Sequence, residues 1–386
     1  MKRSRWLVLA SFAAALAAVV ATSAATAAPS AQSATAAASC SSPTIGFAAP
    51  ITGPAASLGT QQRNWFRFFV NDWNAKHSTK LKYVEGDTKL PNVAEATKVA
   101  QQFASNSSIL AVVGPAGSQE NEASTAVFKR GGLAWVSGSA TADSLTDGSR
   151  RGYLYRTVPR NAAQAGTIAS YMLGTFGVKS GDTVVIVDDK EAYGQGLSDS
   201  VQKLLTAKGV KVQRESVDPD PAKNPDFGSL AAKVPTDAKA VYTPWQLPTS
   251  AQTFGQALKE QGRNVTMFGS DGLFDPSTFK IDGSFVSLWA RVANKKVLAA
   301  YTKKYHAPQY FGAPSYEAVQ VVANAIDRAC KDGTVTRDEV RAQIQKTNIA
   351  NTISGLPLRF NANGDLRVQK AFIFKIADGD YTPVAS

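Results

Sequence analysis

Short apolar runs alternate with amphipathic stretches along this chain, and the alternation becomes regular from Thr44 onward. Thr44 to Ala49 reads as a strand that ends in the turn Pro50-Ile51-Thr52-Gly53-Pro54. The next stretch places Trp65, Phe68, Phe69 and Trp73 at helical spacing, an aromatic face that core packing explains better than a cofactor role. A strand at Lys82 to Glu85, a helix carrying Val93, Ala96, Ala100 and Phe103, and a strand at Ile109 to Val113 follow. That strand runs into Gly114-Pro115-Ala116-Gly117-Ser118, which opens another helix, and the strand Gly131 to Ser137 comes next. A series of this βαβα kind predicts a parallel sheet with helices on both faces.

The stretch Trp135 to Asn161 then ends the first series. Gly138 is expected to let the backbone turn tightly into Ser139, Ala140 and Thr141, and an extended run from Tyr153 to Val158 carries the chain to Pro159. Beyond it the pattern restarts, with a helix bearing Ile168, Met172, Leu173 and Phe176. Strands at Thr183 to Val187, Lys211 to Glu215, Ala240 to Thr243 and Val265 to Gly269 alternate with helices. The proline-rich loop Asp218 to Pro225 is expected to be exposed. Two successive βα series predict two similar lobes with a cleft between them, and a length of 386 residues agrees with about two compact units.

Charge and composition narrow the class. Lys2, Arg3 and Arg5 precede the apolar run Trp6 to Ala21 and then small residues such as Ala25-Thr26-Ala27, the signature of a secretory signal peptide. Residues 22 to 39 are mostly Ala, Ser and Thr, too poor in apolar surface to order themselves. Residues 1 to 39 are therefore assigned to leader and tether. Three of the 42 basic residues and none of the 30 acidic ones lie there, so the formal charge falls from +12 to +9 without them. The basic residues are scattered rather than blocked, which disfavours nucleic acid as a partner.

The usual catalytic constellations are missing. There is no Gly-x-Ser-x-Gly elbow, P-loop or full Gly-x-Gly-x-x-Gly, and neither His77 nor His306 has a second ligand at metal spacing. No enzyme activity, cofactor or metal is expected. What the chain offers instead is a set of strand-end loops rich in glycine and hydroxyls. Ser118, Ser139, Ala140 and Thr141 can neutralise a carboxylate with hydroxyls and backbone N–H groups at helix N-termini. Tyr193 can present a ring face to an ammonium and Asp271 a countercharge, while a helix N-cap is the equally weighted alternative for Asp271.

These loops, taken in order, resemble the ABC-transporter solute-binding proteins of the leucine/isoleucine/valine-binding kind, with the type I periplasmic-binding fold. The resemblance rests on Ile45-Gly46 through Pro50-Ile51-Thr52-Gly53, Asp87 with Pro91 and Ala94, and Val112-Val113-Gly114-Pro115 to Ser118. It continues through Ser139-Ala140-Thr141 with Leu145-Thr146, Tyr155-Arg156-Thr157-Val158-Pro159, Tyr193-Gly194-Gln195-Gly196 and Gly269-Ser270-Asp271-Gly272. Toward the C-terminus it thins to Ser315-Tyr316-Glu317-Ala318 and Asn361-Ala362-Asn363-Gly364-Asp365. It implies that Ser118 and the Ser139-Ala140-Thr141 cluster hold a ligand carboxylate while Tyr193 and Asp271 face its amino group. Two stretches depart from the family. Pro244-Trp245-Gln246-Leu247 stands where a ligand contact is often aromatic or small and polar, which adds Gln246 to the expected ligand set. Trp289, Arg291 and Asn294 fall where the second crossover should be.

The expectation is an α/β protein of two doubly wound parallel-sheet lobes joined by a three-stranded hinge, with the ligand cleft between them. Residues 40–158 and 290–351 would form one lobe, and 159–289 and 352–386 the other. The function implied is that of an exported solute-binding protein, in the periplasm or at the outer face of the cell membrane, which captures an amino acid or related carboxylate or amide by cleft closure. A membrane permease of an ABC importer would be its partner, and a monomer is expected. An exported sensor of the same fold is the alternative, which a neighbouring permease gene would argue against; a secreted enzyme would show turnover of its solute.

Two readings of Cys40 stay open. Ala38-Ser39-Cys40 resembles the end of a lipoprotein signal, although Ala37 replaces the usual Leu and the apolar core ends far upstream. The other pairs Cys40 with Cys330, the only two cysteines of an exported chain. Topology favours the pair, because the start of strand Thr44 to Ala49 and the end of helix Ser315 to Cys330 should both lie far from the cleft.

Overall fold

The computed structural model describes residues 37–224, 226–289, 292–306 and 312–385; the expected signal segment, Ala290, Arg291 and Ser386 lie outside them. Its elements form two three-layer α/β/α stacks. The first is built on a five-stranded parallel sheet in the order Lys82–Asp87, Thr44–Ala49, Ile109–Val113, Ala134–Ser137, Leu154–Arg156. Side chains alternate across it as a pleated strand requires. Ile45, Phe47 and Ala49 pack under the helices Ala56–Lys76 and Ala313–Ala329, whereas Ala48 and Val112 pack against Val93–Ser105 and Ser118–Arg130. The predicted aromatic stripe is core: Trp65, Phe69 and Trp73 are buried, and Trp65 stacks on Tyr301 at 3.7 Å between centroids.

The second stack holds seven strands. Five are parallel, in the order Phe285–Leu288, Thr266–Gly269, Ala240–Thr243, Thr183–Asp188, Lys211–Ser216. Phe372–Ala377 and Asp380–Ala385 add an antiparallel edge. Val185, Val187 and Val241 face the helices Gly228–Ala232 and Pro248–Glu260, while Val184, Ile186 and Tyr242 face Asn161–Leu173 and Ala192–Thr206. Phe285–Leu288 and the C-terminal hairpin lie beyond the predicted series, and they complete the sheet by pairing with strands far away in sequence.

Several expectations change. Ala38–Ser39 is not leader: it pairs antiparallel with Thr334–Val335, and Cys40 N–H donates to Gly333 O at 3.0 Å. Beside that ribbon Cys40 and Cys330 form a disulfide, with Cα atoms 5.6 Å apart. The bond takes up the thiol that a lipid anchor would need. The expected return to the second lobe at Thr352 comes too early. Ile353, Leu358 and Phe360 are buried in the first core, and only from Phe372 do the side chains join the second. The loop Asp218 to Pro225 is not wholly exposed, since Pro219 is buried and its carbonyl accepts from Ser250 Oγ at 2.6 Å; Pro225 is outside the described residues. Gly138 has no left-handed backbone. Its glycine is required by proximity, because a Cβ there would lie 2.7 Å from Ser315 Oγ and 3.0 Å from Ser315 Cα.

Candidate ligand cleft

The strand ends of the two sheets face one another, and a cavity lies between them. Leu58, Ala116, Gly117, Ser118 and Ser139 line it from the first stack, and Tyr193, Gln246, Asp271 and Gly272 from the second. The walls leave about 230 Å³ of free space including the mouth, of which the centre of a water molecule reaches only about 10 Å³. That is room for about one water. A solute of amino-acid size therefore needs the walls to part before it enters.

The first wall is made of loops tied down from behind. Gly114 (φ +103°) must be glycine, because a Cβ would meet Ala48 O at 2.0 Å where the strand ends crowd together. Asn121 donates to the carbonyls of Pro115 (2.9 Å) and Gly117 (2.7 Å), and Glu120 accepts from Gly117 N–H at 2.7 Å. Burial pushes the Glu120 carboxyl up. Ser118 Oγ accepts from Ala142 N–H at 3.1 Å, so its own hydroxyl proton remains to be donated. Ser139 Oγ donates to Ala116 O at 2.7 Å and faces Gln62 Nε2 at 2.7 Å. Arg156 clamps the same loop from the core: its guanidinium donates to Ala142 O (2.9 Å), Ala140 O (3.3 Å) and Thr146 Oγ1, and to Asp365 Oδ1 at 2.7 Å.

The second wall centres on Asp271, which is 3 % exposed. Its Oδ1 accepts from Gln164 Nε2 at 2.6 Å and from Tyr193 Oη at 2.7 Å, and Ser270 Oγ lies 2.6 Å from Tyr193 Oη. Burial pushes the Asp271 carboxyl up to about 6 in spite of these donors. The Tyr193 phenol is raised well above its ordinary value by burial and by the adjacent Asp271 charge. Asp271 is not an N-cap, the alternative role weighed for it. It begins the 3₁₀ turn Asp271–Leu273, whose N-cap is Ser270, and no side-chain cap bond forms.

The predicted ligand residues are thus only partly brought together. Ser118, Ser139, Tyr193, Gln246 and Asp271 share the cavity, whereas Ala140 and Thr141 sit behind it. Ala140 N–H is spent on Ser137 Oγ at 3.0 Å, and Thr141 Oγ1 is buried without a hydrogen-bond partner. Trp245 is core, its indole donating to Val187 O at 2.8 Å. At the crossover Trp289 is buried in the second core and Asn294 caps the helix Lys295–Tyr305, while Arg291 is outside the described residues. The sequence reading missed Gln164, Leu58 and Asp189. Asp189, next to the strand end at Asp188, lines an adjoining space with Glu191, Asp218 and Gln246, and burial raises its carboxyl to about 8. Its position after a strand was a usable signal; Gln164, 107 positions from Asp271, had none.

No group of three or more His, Cys, Asp or Glu side chains that could hold a metal occurs among the described residues. The comparisons with known proteins agree with the architecture. Residues 42–380 match the family model described as periplasmic binding protein. The chain belongs to the periplasmic binding protein family. This binding protein is 30 % identical over 356 residues to the leucine-specific-binding protein of Salmonella typhimurium, covering 88 % of this chain and 92 % of that one. It is 28 % identical over 352 residues to the Leu/Ile/Val-binding protein BraC3 of Rhizobium johnstonii, covering 86 % and 91 %. Its fold resembles that of LivJ from Streptococcus pneumoniae, solved with isoleucine, at a TM-score of 0.78 and 24 % identity over 89 % of this chain and all of that one.

Proposed function

We propose that this binding protein is the extracytoplasmic solute receptor of an ABC importer and that it captures an α-amino acid by closing its two lobes. The observation that carries this reading is the pairing of walls. Hydroxyls and a helix N-terminus at Ser118 and Ser139 face a buried acid, Asp271, and no Lys or Arg lines the cavity. A zwitterion matches both walls: the ammonium offsets Asp271, and the carboxylate takes the Ser118 hydroxyl and the positive end of helix Ser118–Arg130. Thr141 Oγ1, buried without a partner behind Ser118, is a further donor that a modest loop shift would bring to that carboxylate. In this reading the lobes comprise about residues 40–158 with 292–366 and 159–289 with 371–385. The closed form docks on a membrane permease as a monomer, and Cys40 is held in its disulfide rather than lipidated.

Thermal-shift screening of the mature protein against amino acids, amides and small organic acids tests the proposal. A ligand that binds only the native state raises the melting temperature by mass action. The expected result is a selective shift with one or a few α-amino acids. If carboxylates without an amine stabilise the protein and no amino acid does, the zwitterion reading fails.

A further inference from the structure

The longest helix near the cleft, Ala56–Lys76, begins without a cap of its own. Its N-cap residue is Ala55, no side-chain cap bond forms, and no acidic residue lies in its first turn. Ala56 N–H donates to Gly53 O at 3.1 Å, so the positive end of the helix dipole is left at that terminus without a carboxylate of its own. A carboxylate reaches it from the other lobe. Asp275, just after the turn that carries Asp271, accepts from Ser57 Oγ at 2.5 Å, across 218 positions of sequence. The carboxylate is pre-aimed, because Ser277 N–H (3.0 Å) and the hydroxyls of Ser277 and Thr278 (3.3 Å) hold it from its own side.

The surrounding contacts make the meeting of these two groups a property of closure. Ala55 and Leu90 of the first lobe pack with Leu247 of the second in a small apolar cluster of their own, and Leu58 packs against the second core. The segment bearing Ser57 is rigidly held in its own lobe. Asp87 accepts from the N–H groups of Ile51 (2.9 Å) and Thr52 (3.2 Å), and from the Thr52 hydroxyl. A Cβ at Gly59 would strike Pro50 O at 2.0 Å, so the loop lies directly under the helix start. Parting the lobes therefore separates Asp275 from Ser57 and leaves the helix start without a carboxylate beside it.

We propose that the Ser57–Asp275 bond, which brings a carboxylate from the other lobe to the positive end of helix Ala56–Lys76, is a closure latch that sets ligand affinity without touching the ligand. The inference rests on the reading of capture by cleft closure. Both are positioning residues, and Ser57 stands at the exposed rim, so the contact is worth less than a buried one.

Three variants of the mature chain test this. Ser57→Ala removes the cross-cleft bond alone, and Asp275→Asn removes the charge. Ser57→Asp adds an acid that favours the helix start but opposes Asp275 across the cleft. Small-angle X-ray scattering of the ligand-free proteins and titration with leucine are the readouts, with thermal melting as the control for folding. The expected result is a larger radius of gyration for all three and leucine binding weakened about threefold to tenfold. Ser57→Asp should show this most while its melting temperature stays the same or rises, an outcome that a purely structural role for Ser57 would not give. Scattering profiles identical to the parent's for Ser57→Ala and Ser57→Asp overturn the latch. If the parent fails to bind leucine but the scattering shifts as expected, the choice of solute is wrong and the latch stands.

Discussion

Tyr193 Oη lies 2.7 Å from Asp271 Oδ1, so the residue expected to lay its ring over a ligand ammonium instead donates its hydroxyl to the acid that would balance that ammonium. With Gln164 Nε2 at 2.6 Å on the same oxygen and the Trp289 indole also bonded to the carboxylate, the acid is oriented by neutral donors. Such a site holds one negative charge ready for a cation.

The first prediction follows from that arrangement. Asp271→Asn should weaken an α-amino acid by about 2 to 5 kcal/mol, the range for losing one side of a buried charge pair. A carboxylate of the same shape without the amine should lose far less, or gain. Calorimetric titration of the variant with both ligands decides this, and equal losses would remove the countercharge role.

A second prediction concerns pH. The folded-state value of Asp271 is raised to about 6, above the ordinary carboxylate range, so its contribution to ligand-free stability is fully present below about pH 4. That contribution is lost as pH rises through about 6, and amounts to about 3 kcal/mol. Asp189, raised to about 8, extends the same trend to higher pH. An ammonium-bearing ligand favours ionised Asp271, so its affinity should rise between pH 5 and pH 7. Binding at pH 5 should release a proton, visible as a dependence of the calorimetric enthalpy on buffer ionisation heat. Affinity that falls over this interval contradicts the assignment.

A third prediction separates the scaffold from the site. Arg156 and Asp365 form a buried pair, and Arg156 also holds the carbonyls of Ala140 and Ala142. Arg156→Met should cost about 3 to 5 kcal/mol of stability by stranding Asp365. Adding Asp365→Leu should restore much of that in denaturant unfolding, while ligand affinity stays low because the Ser139–Thr146 loop has lost its clamp. Full recovery of affinity in the double variant would mean that the clamp does not shape the site.

The fourth concerns the termini of the first core. The Cys40–Cys330 bond closes a loop of 290 residues, which the chain-entropy model values at about 6 kcal/mol. Intact mass of the secreted protein should be two protons short of the dithiol, and reduction should lower the melting temperature. A diacylglyceryl adduct on Cys40 with a free Cys330 thiol would refute the bond.

Taken by itself, the sequence determined what depends on near neighbours. The strand Ile109–Val113, the aromatic stripe from Trp65 to Trp73 and the loops at Ser118, Ser139 and Asp271 were legible because a side-chain period of 2 or 3.6 repeats within a few residues. The cysteine pair was open to topology, since a parallel α/β series dictates which end of each element faces the cleft. Only the tertiary structure decided which of those loops share a cavity and what holds them there. Gln164 with Asp271, Arg156 with Asp365 and Ser57 with Asp275 are 107, 209 and 218 positions apart, and no local pattern records partners at such separation. The same reason hid the strand Phe285–Leu288 and the return at Phe372, two short apolar runs that pair antiparallel with each other across more than eighty positions. Whether a polar side chain at a strand end reaches the cleft, like Ser118, or stays behind it, like Thr141, depends on how distant segments pack.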